Sequence, residues 1–437
     1  MTENLEPMRT NEIYQNLKKG DKDKVLQTID NYVYVLNHDP LLNGNVRYNI
    51  MRERNCILGD VGWPRSSDVI SDTDISYLKL YFERNYHLNG EDRLMDALRI
   101  VANEKQFHPI RDYLNSLQWD GQERIRYLLP KYLGAEENRL NHAYLEVFLL
   151  GAISRVFQPG IKFELMLCLV GGQGAGKSSF FRLLAVRDEW FSDDLKKLDD
   201  ENVFRKLQGH WIIEMSEMIA TANAKSIEDI RGFISRQKET YKTPYDRFPA
   251  DHARQCVFAG TSNSLDFLPL DRAGNRRFLP ILVDPEKAET HILENEKESR
   301  AYIDQVWAEA MVIYNSGNFR LALPKDLEFE ARVRQLEFMP EDTITGRIQS
   351  YLDNLKCDYT CTMQIIEEGL GHLNEPTQKE IREVNDIMNH SIIGWEAGKH
   401  KRIPGYGSQR TWRRKAEIEE MEDFPVIESQ VELPGGW

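Results

Sequence analysis

The stretch Leu165-Met-Leu-Cys-Leu-Val-Gly-Gly-Gln-Gly-Ala-Gly-Lys-Ser-Ser-Phe180 constrains the fold more than any other. Its apolar run, Leu165 to Val170, reads as a buried strand. Gly171 to Lys177 is a glycine-rich turn, and Ser178 onward opens a helix. The spacing Gly171-x-x-x-x-Gly176-Lys177-Ser178 is that of a phosphate-binding loop. Glycines let the backbone curl until several N–H groups face one anion, and the helix N-terminus adds partial positive charge. Gly171, Gly172, Gln173, Gly174, Ala175, Gly176, Lys177, Ser178 and Ser179 are the expected cradle. Lys177 would reach the β- and γ-phosphates, and the Ser178 hydroxyl would ligate Mg²⁺. The competing reading is a strand-to-helix turn that binds nothing.

Around this stretch the chain alternates strand and helix. Strands are expected at Leu165–Val170, Trp211–Met215, Cys256–Thr261 and Arg277–Val283. That rhythm is the pattern of a mainly parallel sheet with helices on its faces. With 437 residues, 41% of them hydrophobic, the chain has ample material for a large core. The net charge of −14 is weak evidence against a nucleic-acid partner, because local basic patches do that work. Five cysteines, at 56, 168, 256, 357 and 361, form no disulfide framework, and a reducing cytosol fits them. No signal peptide and no membrane-spanning run are evident, so a cytoplasmic location is expected.

The flanks are less informative. A stripe through Ile13, Leu17, Val25, Ile29 and Val33 suggests helix, and Val46–Tyr48 and Ile57–Leu58 suggest short strands. Ser71-Asp-Thr-Asp74 reads as a helix N-cap, the alternative being a metal-binding acid pair. His108 lacks a nucleophile or carboxylate partner nearby in sequence and reads as structural. Leu140 to Phe157 is an apolar helix ended by Pro159-Gly160. Helices are expected at Thr345–Leu355 and Thr377–His390, followed by a basic hairpin-like segment. The last residues, Glu417 to Trp437, read as a loose acidic tail.

Three further segments carry chemistry. "GHWIIEMSEM" places Glu214 and Glu217 at the end of a strand, where one acid would hold Mg²⁺ and another would polarise the attacking water. Glu217 is expected to face the phosphates. Glu214 shares that task or faces away, since neighbouring strand residues alternate sides. "CVFAGTSN" ends in Asn263, whose neutral amide can bond a γ-phosphate without repelling it. Arg276 and Arg277 precede the next strand, and one of them would cover a phosphate while the other forms a salt bridge. Between the second and third strands lie Arg231, Arg236, Lys238, Lys242, Arg247 and Arg254, interleaved with Tyr241, Tyr245 and Phe248. Cations with aromatic neighbours suit a sugar–phosphate backbone and its bases; a solvated charged face is the alternative.

In this order the residues resemble the virulence-associated protein E family, superfamily 3-type, AAA+-related helicase ATPases of phages and genomic islands. "FHPIRDYLNSLQWDGQERI" upstream and "GYGSQRTW" downstream extend the resemblance. The resemblance implies an α/β fold: an AAA+-like P-loop NTPase core with a helical N-terminal region and a small C-terminal winged-helix-like domain. The corresponding segments are 1–104, a helical collar at 105–160, the core at 161–341, the winged-helix-like domain at 342–416 and the tail at 417–437. It implies ATP and Mg²⁺ as cofactors, Walker B acids at Glu214 and Glu217, a sensor at Asn263 and an arginine finger at Arg276 or Arg277. Arg236, Lys238, Lys242, Tyr245 and Arg247 would grip single-stranded or forked DNA, with Arg410 and Arg413 adding phosphate contacts from the basic hairpin. Self-association into a hexameric ring is implied. No primase cluster is evident, so priming would fall to another protein or not occur.

Two other readings stay open: a nucleotide-switched DNA-binding initiator or regulator that does not unwind processively, and a small-molecule P-loop kinase. The kinase leaves the basic insert and the C-terminal unit without a role.

Overall fold

A computed structural model describes residues 10–195, 198, 203–216, 224–242, 248–269, 275–340, 342–372 and 374–415. Glu217, Tyr245, Arg247 and the acidic tail lie outside the described residues. The chain divides into two units, 1–340 and 341–437.

The first unit begins with α1 (Thr10–Gln15), α2 (Ile29–His38), a hairpin of β1 (Val46–Asn49) and β2 (Arg54–Ile57), α3 (Asp72–Tyr86), α4 (Glu91–Glu104) and β3 (Gln106–Phe107). β1 pairs antiparallel with β2 and parallel with β3, so this region is mixed α/β with helices predominating. Its core holds Tyr32, Val35, Leu36, Phe82, Tyr86 and Leu98. The N-terminal apolar stripe is not one helix. The chain leaves α1 after Gln15, and Thr28 caps a new helix by accepting from Asn31 N–H. The two helices are out of phase, which leaves Ile29 at 37% exposure while Val35 and Leu36 are buried.

The acids Asp72 and Asp74 begin α3 as a cap. Ser71 and Asp74 form a reciprocal capping box. Asp74 also accepts from Trp63 Nε1 at 2.9 Å and Arg65 Nε at 2.8 Å. Among the described residues no cluster of acids, His and Cys has metal-binding geometry.

Next come α5 (Pro109–Ser116), α6 (Ile125–Leu133) and α7 (Arg139–Phe157). His108 is buried, caps α5 and bonds Gln255 at 2.8 Å; burial drops its pKa to about 4, so it is neutral and structural. α7 is buried on nearly every side, which explains its lack of a polar face.

The central sheet uses β4 (Met166–Val170), then after α8 (Lys177–Leu184) the short β5 (Phe191–Ser192), then after α9 (Val203–Leu207) β6 (Ile212–Ser216). After α10 (Ala224–Ile234) comes a hairpin of β7 (Lys238–Tyr241) and β8 (Ala250–Ala253), and the sheet is completed by β9 (Val257–Ser262) and β10 (Phe278–Leu282). Strand order is β10-β4-β9-β6-β5, parallel throughout. α11 (Glu296–Ser316) and α12 (Glu328–Glu337) follow. Strand alternation divides the interior in two. Leu167, Leu169, Ile212, Val257 and Ala259 face the core built by α7, α8 and α11. Met166, Cys168, Val170, Ile213 and Met215 face the core that includes Ile230, Phe233 and Ile234 of α10. Trp211 stacks on Trp307 of α11 at 4.3 Å, and Trp307 Nε1 donates to Leu184 O, which anchors the end of α8.

The second unit contains α13 (Thr343–Asn354), β11 (Tyr359–Cys361), α14 (Thr362–Gln364) continued by a π-turn over Ile365–Gly369, α15 (Gln378–His390) and a hairpin of β12 (Trp395–Ile403) and β13 (Gly407–Arg414). The strands are antiparallel, in the order β11-β13-β12. Among the described residues no helix is long and apolar enough to cross a membrane.

The Asp74 cluster predicts an acid-sensitive term. Burial alone would raise this carboxyl, but hydrogen bonds from Trp63, Ser71 and Arg65 outweigh it and hold the pKa at about 2, against an ordinary 3.8. A depressed folded-state pKa gives stability that is complete above 3.8 and lost as pH falls through about 2. Asp74→Asn should cost roughly 3 kcal/mol near neutrality, because it leaves Arg65 half-paired in a buried site. In denaturant titrations that gap should shrink between pH 4 and pH 2.

Candidate nucleotide site and hairpins

The C-terminal ends of β4, β6 and β9 lie side by side in the sheet, and each delivers a polar group to one cavity of about 330 Å³. The cavity is lined by the 173–179 loop, Ser216, Thr261, Ser262 and Asn263. In the loop, Gly174 (φ +83°) and Gly176 (φ +76°) adopt the left-handed conformation that favours glycine. At Gly171 the need is space, since a Cβ would sit 2.5 Å from Val283 O.

Lys177 is buried and its ammonium folds back on the loop, donating to Gly171 O at 2.7 Å, Gly172 O at 2.8 Å and Asn263 Oδ1 at 3.0 Å. Asn263 thus meets the loop lysine directly. Glu214 faces the loop. It lies on the same strand face as Ile212, the face against which α8 packs. The carboxylate is 0% exposed. Its Oε1 accepts from Ser178 Oγ at 2.7 Å, Thr261 Oγ1 at 2.5 Å and Ser216 Oγ at 3.0 Å. Its Oε2 has no hydrogen-bond partner among the described residues. A buried carboxylate half-satisfied beside a helix-start hydroxyl fits a divalent cation, which would compensate the charge. Ser178 and Glu214 are the residues that could hold it; Glu217 lies outside the described residues. Sequence reasoning missed Ser216, which shares Glu214's face two residues on.

Arg276 and Arg277 do not join this cavity. They form a turn just before β10, whose first residue pairs with Met166 at the start of β4. The glycine-rich loop begins after Val170, at the other end, so roughly 13 Å of strand separates the two edges. Arg277 pairs with Glu164 at 3.4 Å. Arg276 is exposed and makes no ion pair among the described residues. Burial pushes the Glu164 carboxyl up, but the charges of Arg277 and Lys162 and the hydrogen bonds from Ser235 and Arg277 together outweigh it and lower its pKa.

The basic insert separates into structural and exposed cations. Arg231 is buried and donates to Asn275 Oδ1 at 3.0 Å. Arg254 is buried against Glu239 and lies between the Phe233 and Phe258 rings at 4.8 and 5.1 Å. Neither is available to a ligand. Arg236, Lys238 and Lys242 are exposed. Arg236 lies over Phe233, and Lys238 pairs with Asp251 across the β7–β8 hairpin. Phe248, near the hairpin tip, is 78% exposed.

In the second unit the β12–β13 hairpin carries most of the cations. Arg413 pairs with Glu396, Lys401 lies over Tyr359, and Arg414 turns back to Leu352 O and Leu355 O. Lys399, His400, Arg402 and Arg410 are the exposed or half-exposed remainder, and His400 and Arg410 pair across the strands.

Two apo structures of the NrS-1 C-terminal region are similar at 15% identity, covering 85% of this chain and 96% of that one, with TM-scores of 0.43 and 0.46. No curated protein matches the sequence. The model of the virulence-associated protein E-like domain matches residues 114–339, more than half of the chain, from within α5 to just past α12. The chain therefore belongs to the virulence-associated protein E-like family.

Proposed function

We propose that the chain is a P-loop ATPase of AAA+ type that assembles as a ring on DNA and couples ATP hydrolysis to translocation or unwinding, in replication of a phage or mobile element. The observation that carries this reading is the Ser178–Glu214 contact at 2.7 Å. It joins the first turn of the loop helix to an acid two strands away in the sheet, the pair a Mg²⁺-triphosphate site requires. Ser178 and Glu214 would hold a divalent cation there, whose charge would help stabilise the triphosphate. Lys177 would exchange its carbonyl partners for phosphate oxygens. Asn263, released from Lys177, would orient the γ-phosphate or the attacking water. Glu217 keeps its proposed role as the water-polarising acid.

The separation of Arg276 from its own loop supports action across a subunit boundary. From the far edge of the sheet Arg276 would serve a nucleotide bound by a neighbouring copy, not its own. Arg277, tied to Glu164, is the structural member of the pair. The β7–β8 hairpin, with Arg236, Lys238, Lys242 and Phe248, would track single-stranded DNA by charge and stacking. The second reading, a nucleotide-switched DNA-binding initiator, draws on the cationic hairpin of the second unit, whose helices and strands suit a winged-helix module.

Glu214→Gln should lower ATP turnover by about 100-fold or more, read as phosphate release at saturating Mg²⁺. Arg276→Ala should lower it by 10³-fold or more, in the range of other arginine fingers. Mixing Arg276→Ala with Lys177→Ala chains should restore part of the activity, since a mixed boundary recovers one intact site. Absence of recovery in co-assembled rings would argue against action in trans. Arg402→Ala and Arg410→Ala should each weaken DNA binding and reduce the slope of log affinity against log salt by about one.

A further inference from the structure

The N-terminal edge of the parallel sheet, opposite the nucleotide cavity, gathers three segments around one carboxylate. Glu164 precedes β4. Its Oε2 lies 3.1 Å from Ser235 Oγ, whose single hydroxyl proton is shared between it and Arg231 O at 2.7 Å, and 3.4 Å from Arg277 Nε. Ser235 follows α10 directly and stands three residues before the β7–β8 hairpin. Arg277 adjoins Arg276. A second tie runs parallel to the first: Arg231 of α10 donates to Asn275, and Asn275 donates to Pro269 O at 3.0 Å. The hairpin root is fixed from below as well. Arg155, 1% exposed, donates to Phe163 O at 2.7 Å and reaches Arg236 O at 3.4 Å. The arginine turn and the hairpin root are therefore held in one network.

We propose that Glu164 is a positioning residue that couples the Arg276–Arg277 turn to the DNA-tracking hairpin, so that the nucleotide held by one copy sets the hairpin of the copy that lends it Arg276. This rests on the reading of Arg276 given above. When Arg276 engages a neighbour's phosphate, a shift of the 275–277 turn passes through Arg277 and Asn275 to Glu164, Ser235 and Arg231. These residues sit at the root of β7. The Glu164–Arg277 contact is suited to this role, because at 3.4 Å it is longer than a close charge-assisted hydrogen bond. A movement of a few tenths of an ångström makes or breaks it.

The test uses the full chain with Glu164→Gln, and Ser235→Ala as a milder variant that removes one hydroxyl contact. Three quantities are read: basal ATP turnover, its stimulation by single-stranded DNA, and hydrogen exchange of the 238–241 and 250–253 amides when a non-hydrolysable ATP analogue is added. Glu164→Gln should keep basal turnover within about twofold of the wild type and lose most of the DNA stimulation. The hairpin amides should no longer respond to the analogue. Arg276→Ala should abolish the same amide response even with nucleotide bound. Wild-type stimulation and amide response in Glu164→Gln would overturn the coupling. A loss of basal turnover at unchanged melting temperature would also overturn it, by placing Glu164 in the nucleotide site. If Glu164→Gln does not fold, Ser235→Ala decides by the same criteria. A wild-type chain without ATP turnover would remove the underlying reading of the site, and that failure is visible before any variant is compared.

Discussion

The buried Glu214 carboxylate is the interaction on which the site depends. Three hydroxyls, from α8, β6 and β9, converge on one of its oxygens, while the other has no protein partner among the described residues. A carboxylate fully out of water is costly unless charge or hydrogen bonds compensate it. The hydroxyls supply part of that compensation. They also fix the spacing between the loop helix and the two neighbouring strands. The same contact that stabilises the acid thus fixes the start of the loop helix against β6. Lys177 and Asn263 add a second clasp, holding the loop against β9.

The sheet distributes the remaining tasks between its two edges. Parallel strands place all their C-terminal ends together, and there the cavity forms. They also place their N-terminal ends together, and there the hairpin root, Glu164 and the arginine turn meet. A strand length separates the edges. The candidate cavity and the Glu164 network therefore lie at opposite edges of one layer, whose two faces are buried against α7, α8 and α11 on one side and α10 on the other.

Much of this was legible in the sequence, for identifiable reasons. The four long sheet strands are apolar runs buried on both faces and bounded by turns, so their positions could be read to within a residue or two. Phe191–Ser192 is too short to leave a pattern. The direction of Glu214 was not legible, because it depends on which parity of β6 faces α8, a matter of register with Ala259 and Thr261. The cation-rich insert misled for a related reason. Arg231 and Arg254 look like their exposed neighbours until Asn275 and Glu239, far along the chain or across a hairpin, are seen to bind them. In the N-terminal region the stripe marks buried positions, Ile13, Leu17 and Val25, but periodicity does not show the break between two helices that Thr28 caps.

The most direct measurement is ATP-driven strand displacement on a forked DNA, wild type against Lys177→Ala at equal DNA occupancy. The account predicts displacement by the wild type that requires both ATP and Mg²⁺, and none by the variant. Displacement by Lys177→Ala at the wild-type rate would contradict it.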